Sequence, residues 1–382
     1  MGGRWMTGSM TERGPHDAPK RPRELYIDAF RGLMALVMVQ GHLCDGFLSP
    51  EVRAAPWYVF QQMFHGSTAP GFLFASGFVV GLPRAPLSLR ASVRRARRLL
   101  FVLGVGYFLH LPYFSLSKTL AEAGSVQRAA LFGCDALQVI AATQLFVILL
   151  QWGTGRHWTA VAAVIGLAVT AATPLVWDSG LSSRLPEALA PYLDCSTGSR
   201  FPVFPNSAFV LAGALAGAML GRVEPPVRHR RAVLAGVSLL TLGVVLARLL
   251  EGRVDFWGPS PAYVLVRLGG LLLLLLAVEL AARHTLPGTW SLALLGHETL
   301  LVYVLHLYLL FGGIVTGPSP MRALQDQLGL AGAAAVFVLL LPFLLLAAWV
   351  WRGFKQRAPH EAQLVLVFLT TAFVYEFLTR PW

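Results

Sequence analysis

Three ionisable residues interrupt an apolar run near the N-terminus. In YIDAFRGLMALVMVQGH, residues 26–42, Asp28, Arg31 and His42 sit among side chains that hydrocarbon favours. Such groups mark a functional site by default, because each is costly in lipid unless paired or wetted. At ~100° per residue the chain returns from Arg31 to His42 within ~20° of one helix face, and Asp28 falls ~40° from His42. All three therefore look to one side of the helix. With ~1.5 Å rise per residue, Arg31 and His42 are ~16 Å apart along the axis. Asp45 follows His42 by three residues, a spacing that lets a carboxylate orient the imidazole. An imidazole held in this way, with its pKa naturally near neutrality, can serve as a general base.

The elements that position these groups follow from composition. Hydrophobic residues make up 55% of the 382 and charged residues 13%, and the mean hydropathy is +0.61. That is more apolar surface than a soluble core of this length uses. The fold class expected is all-α, a polytopic integral membrane bundle of about ten transmembrane helices. Runs able to cross ~30 Å of hydrocarbon fall near 25–44, 57–82, 99–115, 130–151, 158–177, 203–221, 232–250, 262–282, 290–312 and 329–351. An eleventh candidate at 363–378 is short and can span or lie in the interface. Backbone in lipid must satisfy itself, and nothing alternates as a barrel strand would, so the spans are helices.

The net charge of +12 is not a nucleic-acid signal, because the charges obey the positive-inside rule. With the N-terminus in the cytoplasm, most of the 31 Lys and Arg fall on inside segments, including the run ASVRRARRLL with Arg94, Arg95, Arg97 and Arg98. Residues 1–22 read as a disordered basic cytoplasmic tail, 23–351 as one transmembrane domain, and 352–382 as a basic loop with the final helix. No cleaved signal peptide is expected, since the first apolar segment is too long and lacks an A-x-A site. Cys44, Cys134 and Cys195 show no metal-ligand spacing, and all map to the outer side, where one disulfide can form or all can serve as small apolar filler. No internal repeat is evident.

This topology places polar residues by depth. Asp28 and Arg31 lie near the cytoplasmic end of helix 1, and His42 and Asp45 near its outer end. The same reasoning puts His65, His110, Asp135, Gln138, Asn206, Arg267, Tyr303 and His306 in the outer halves of their helices. They converge on one outer-facing polar cavity. Each group has a plainer reading. His110 and His297 suit hydrogen-bonded packing, and Asp28 with Arg31 suits an ion pair that pins helix 1. The arginine run suits a topology determinant and headgroup contact as well as a site for the phosphates of an anionic cytosolic donor. In GSTAPGFLFASGFVVG, Gly66, Pro70, Gly71 and Gly77 break helix 2, as happens where backbone lines a cavity or where small residues pack closely.

Taken in order, R-x-L-Y-x-D-A-F-R-G-L with a closing His, A-P-G-F-L-F-A-S-G-F, D-A-L-Q, F-P-V-F-P and L-G-H-E-T-L-L-V-Y-V-L-H-L resemble the transmembrane acyltransferase superfamily. The superfamily includes the acyltransferase family 3 O-acyltransferases and the heparan-alpha-glucosaminide N-acetyltransferase-like proteins. D-A-F-R-G-L with T-A-P-x-F-L-F-x-S-G leans toward the second group, and the S-G-F element is shared with the first. The resemblance covers residues 23 to about 351. It implies transfer of an acyl group, acetyl foremost, from cytosolic acyl-coenzyme A to a sugar hydroxyl or amine of a glycan or glycolipid across the inner membrane. By this likeness His42 is the base or a transient acyl carrier, Asp28 and Arg31 match the D-x-x-R-G element, and His306 matches the helix 9 histidine. The paired-arginine pattern of family 3 has several candidates in RRARR.

For such chemistry His42 strips the acceptor proton, Asp45 holds its tautomer, and Arg31, Gln138, Tyr303 or His306 stabilises the oxyanion. His65, Gln138, Asp135, Tyr303 and Asn206 are candidate acceptor contacts. Membrane lipids are the other expected partners, and no metal and no bound cofactor are expected. A proton-coupled transporter or glycan-precursor exporter would also need an intramembrane polar track. Its inverted repeats are not seen, and the polar groups gather at one outer site rather than at the midplane.

Overall fold

The computed structural model describes residues 25–82, 88–315 and 317–381. The expected tail, 1–22, lies outside these. The helices are α1 Leu25–Phe47, α2 Pro50–Arg53, α3 Pro56–His65, α4 Thr68–Gly81, α5 Leu89–Phe108, α6 Leu116–Glu122, α7 Ser125–Phe132 and α8 Ala136–Thr154. They continue as α9 Trp158–Asp178, α10 Val203–Leu220, α11 Pro225–Leu249, α12 Pro261–Arg283, α13 Thr289–His297, α14 Thr299–Phe311, α15 Leu330–Arg357 and α16 Pro359–Thr379. A small hairpin, β1 Gly312–Gly313 with β2 Gly317–Pro318, follows α14.

Each apolar stretch read from the sequence contains helix, the eleventh included as α16, although 57–82, 99–115 and 130–151 are helical only in part. The ten spans expected are not confirmed: among the described residues six helical stretches are long and apolar enough to cross a membrane, with 136–178 counted once, or seven if α13 and α14 form one bent span. The reasons are local. Helix α1 has 23 residues, ~35 Å at ~1.5 Å per residue, but its polar stripe dilutes its hydropathy. The segment at 57–82 breaks into α3 and α4 at Gly66 and Ser67, and α13 meets α14 at 85°. Helix α5 carries the arginine run in its first half.

The apolar stretch 136–178 doubles back near Gly155. Phe201 N–H bonds to the Cys134 carbonyl at 3.0 Å, and Trp177 Nε1 to the Phe204 carbonyl at 3.1 Å, so the start of α8 and the end of α9 both meet the start of α10. Without water to drive burial, helices in lipid associate by close packing of small residues. Helix α4 lies on α10 through Gly77, Gly81, Gly213 and Gly217, and a Cβ at any of them would run into a carbonyl of the opposite helix. Gly32 and Gly296 do the same between α1 and α13, against the carbonyls of Leu292 and Asp28. Phe30, Phe74, Phe78 and Phe209 fill the core between these pairs.

Buried carboxylates pin the helices at the Leu25 end of α1. Glu279 accepts from Arg228, from Arg283 Nε at 3.0 Å, and from His229 at 3.2 Å. Glu298 sits between His297 at 2.7 Å and Lys355 Nζ at 2.6 Å. Arg31 and Asp28 are 3.5 Å apart on α1. A buried carboxylate needs such partners, because removing them leaves an uncompensated charge.

Candidate active site

At the other end of α1 a cavity of about 700 Å³ opens between α1, α3, α4, the end of α5, the start of α8 and α14. His42 lines it. The ring stacks on His306 of α14 with centroids 5.2 Å apart and planes at 16°, and Nδ1 of His42 is 2.9 Å from Nε2 of His306. His306 is fully buried, and its Nδ1 lies 2.9 Å from the Val302 carbonyl one turn earlier on α14.

These contacts fix the proton positions when both rings are neutral. A carbonyl can only accept, so His306 Nδ1 carries the hydrogen and donates it to Val302. His306 Nε2 is then a lone-pair acceptor, and His42 Nδ1–H donates to it. The remaining nitrogen of His42, Nε2, keeps its lone pair. The arrangement can therefore accept a proton from a group bound in the cavity.

Asp45 does not orient His42, contrary to the spacing argument. Its carboxylate turns to α3 instead, accepting from Tyr58 Oη at 2.6 Å and Gln62 Nε2 at 2.5 Å, and it lies 3.3 Å from His65 Nε2. The i, i+3 spacing brings Asp45 near His42, but three donors from α3 hold both its oxygens. His306, from a distant part of the sequence, takes the orienting place. His65 is not a second accessible base, because its Nδ1 is buried without a partner among the described residues. It rests against Gly41, where a Cβ would meet the imidazole. Glycine at 41 thus lets α3 approach α1 closely enough for His65 to reach Asp45.

The opposite wall holds a second imidazole–carboxylate pair. Asp135 caps α8, accepting from Ala136 N–H at 2.7 Å, and lies 3.5 Å from His110 Nε2 just after α5. Gln138 Nε2 sits 3.2 Å from His110 Nδ1 and 3.4 Å from the Gly133 carbonyl. Both amide hydrogens of Gln138 are thereby used, and His306 has spent its one N–H on Val302. Neither has a donor left for an oxyanion. Tyr303 and Arg200 line the cavity, and no hydrogen bond from Tyr303 Oη or the Arg200 guanidinium is found among the described residues.

The structure thus brings His42, Asp45, His65, Asp135, Tyr303 and His306 together, with Gln138 just behind His110. Other candidates lie elsewhere. Asp28 and Arg31 are ~21 Å and ~16 Å along α1 from His42 and do not line the cavity. Asn206 is buried, its amide donating to the Pro202 carbonyl at 2.8 Å. Arg94, Arg97 and Arg98 are exposed on the first half of α5, with Arg95 half-buried beside them. That stretch is remote from His110. Arg267 caps the α3–α4 break, bonding the Met63 carbonyl at 2.6 Å and Ser67 Oγ. Sequence reasoning missed Tyr58, Gln62, Arg200 and Tyr308 and weighed His110 as packing. The Q-Q-x-x-H spacing, which sets Gln62 on the face of His65, was the one signal available.

A family model described as an acyltransferase domain, acyltransferase 3, matches residues 24–352. The chain belongs to the acyltransferase 3 family. It is therefore a membrane acyltransferase, and of the two branches resembled by the sequence the match is to family 3 rather than to the glucosaminide-like group toward which helix 1 leans. The enzyme assignment also displaces the transporter reading. A search of curated proteins gives no match. Acyltransferase 3 members transfer acyl groups, and the His42 cavity lies wholly within the matched segment. Helix α16 lies beyond it.

Proposed function

We propose that this acyltransferase 3 protein carries an acyl group, acetyl being the simplest, from cytosolic acyl-coenzyme A to a sugar hydroxyl or amine of a glycan outside the inner membrane. The N-terminus is cytoplasmic in this reading, and the His42 cavity faces outward. The observation that carries it is the His42–His306–Val302 chain of hydrogen bonds, which leaves a lone pair on His42 Nε2 at a polar cavity.

His42 Nε2 accepts the acceptor's proton as its oxygen or nitrogen attacks the thioester carbonyl. The new positive charge on His42 is shared through Nδ1–H with His306, which cannot turn away because Val302 holds its other nitrogen. Tyr303, which lines the cavity, donates from Oη to the carbonyl oxygen as it gains charge. Collapse of the tetrahedral intermediate breaks the C–S bond, and the proton returns from His42 to the departing thiolate.

Coenzyme A is a substrate here, with no resident cofactor and no metal. The arginines at 94, 95, 97 and 98 suit its phosphates on the cytoplasmic side, and Asp28 and Arg31 mark the same end of α1. Membrane lipids surround the bundle.

The test is mass spectrometry of envelope glycans from cells lacking the protein, complemented with wild type or His42→Ala. An acyl mass increment restored by wild type alone is the expected result, and its mass names the group. Equal acylation in all three strains would overturn the reading.

A further inference from the structure

Helix α14 has two different sides. Tyr303 and Leu307 line the His42 cavity, and His306 reaches His42 from the same side. Leu301, Val304, Leu305 and Leu309 line a second, apolar groove of about 570 Å³, walled by Phe108 of α5 and by Pro318 of the hairpin. At ~100° per residue the two sets fall on nearly opposite faces of the helix. The groove offers no charged group among the described residues. Among the described residues its one hydroxyl besides tyrosine, Ser319 Oγ, is engaged with the Leu309 carbonyl at 2.5 Å.

Cavity and groove adjoin at two places. Phe108 lines the groove while its neighbour Leu109 lines the cavity. Tyr308 lines both. Its ring stacks on Phe108 with centroids 6.4 Å apart, and rests against Gly313, where a Cβ would meet the ring. The Tyr308 hydroxyl makes no hydrogen bond among the described residues. An aromatic ring with a polar tip is suited to such a boundary between apolar and polar space.

We infer that the groove holds the hydrocarbon chain of a lipid-anchored acceptor, whose sugar reaches His42 past Tyr308. This inference rests on the acyltransferase reading above and narrows its acceptor to a glycolipid. A groove of this volume is in the range of ligand pockets. Its lining is that of a site for alkyl or isoprenoid chain, and in a bilayer a chain is what stands beside it. Its adjacency to the reactive cavity separates it from an ordinary lipid-facing surface, because a chain lying there brings its headgroup to the one place where transfer can occur. Tyr308 Oη is a free donor for the linkage between chain and sugar.

The experiment expresses the full chain in cells lacking it, as wild type, His42→Ala or Val304→Trp, the last placing an indole in the groove without touching the cavity. Glycans are split soon after induction into solvent-extractable glycolipid and water-soluble fractions, and the acyl increment is read by mass. The expected result is an increment appearing first in the glycolipid fraction, absent with His42→Ala, and at least 10-fold lower with Val304→Trp at equal protein level. An increment confined to soluble glycans, or wild-type acylation by Val304→Trp, overturns the lipid-anchor inference while leaving the transferase reading intact. Retained acylation in His42→Ala instead removes the transferase reading. Should Val304→Trp fail to accumulate, Leu301→Trp fills the groove one turn earlier and is read the same way.

Discussion

Nδ1 of His42 and Nε2 of His306 lie 2.9 Å apart although 264 residues separate them in the chain. The bond sets which nitrogen of His42 is exposed as a base, and its anchor is a backbone carbonyl rather than a carboxylate. A carbonyl keeps its acceptor character at any pH, so the relay ends on a group that does not itself titrate.

His306→Phe keeps the ring volume and removes the acceptor for His42 Nδ1–H. The expected outcome is a loss of roughly 10²-fold in kcat, within the range for a positioned base, with little change in KM. Steady-state release of coenzyme A from acyl-coenzyme A by the purified protein measures it. A variant with wild-type kcat would detach His306 from the chemistry.

Asp45→Asn is expected to act more gently than His42→Ala. Asp45 joins α1 to α3 through Tyr58, Gln62 and His65, so its change should lower stability by about 1–3 kcal/mol and reduce activity by roughly 10-fold. Thermal unfolding and turnover, measured on the same preparation, check both. An Asp45→Asn protein as inactive as His42→Ala with unchanged Tm would show that Asp45 serves His42 directly.

Gly41→Ala places a methyl group in the His65 imidazole. The expected cost is about 1–3 kcal/mol, typical of overpacking, and the double variant Gly41→Ala, His65→Ala should regain part of it. A double-mutant cycle in Tm and kcat reads the coupling. Purely additive effects would mean that the two residues do not touch.

How much of this was legible in the sequence depended on whether a signal is local. Apolar runs are local, and each of the eleven contains helix, some of them broken. Ionisable groups in lipid are conspicuous one at a time, so His42, His65, Asp135 and His306 could be read without knowing their partners. Partnership is not local. Asp45 is near His42 in sequence but bonds to α3, and the Gly66–Ser67 and Glu298 breaks hide inside runs that average as apolar. Arg200 sits in a loop with no periodicity, so nothing in the chain marked it as facing Asp135 and Tyr303.

Gly77→Leu should separate α4 from α10, because even a Cβ there meets the Val210 carbonyl. The expected outcome is loss of folded protein from detergent-solubilised membranes, measured by gel filtration. Gly104→Ala in α5 is the control, since nothing lies within 4 Å of its Cβ position. It should be neutral or gain a few tenths of a kcal/mol from helix propensity. Equal behaviour of the two variants would discount backbone contact as the basis of the α4–α10 packing.

The distance in sequence between His42 and His306 also sets a timetable for biosynthesis. Asp45 meets His65 within 20 residues, so that part of the site can close while the chain is still emerging. His42 waits for α14, which at about 5–20 residues per second is made roughly 15–50 s later. During that interval an early helix holds ionisable groups in the bilayer without their final partners. The newborn chain is thus most exposed to quality control midway through its synthesis, and the base becomes competent only after nearly the whole bundle has been inserted.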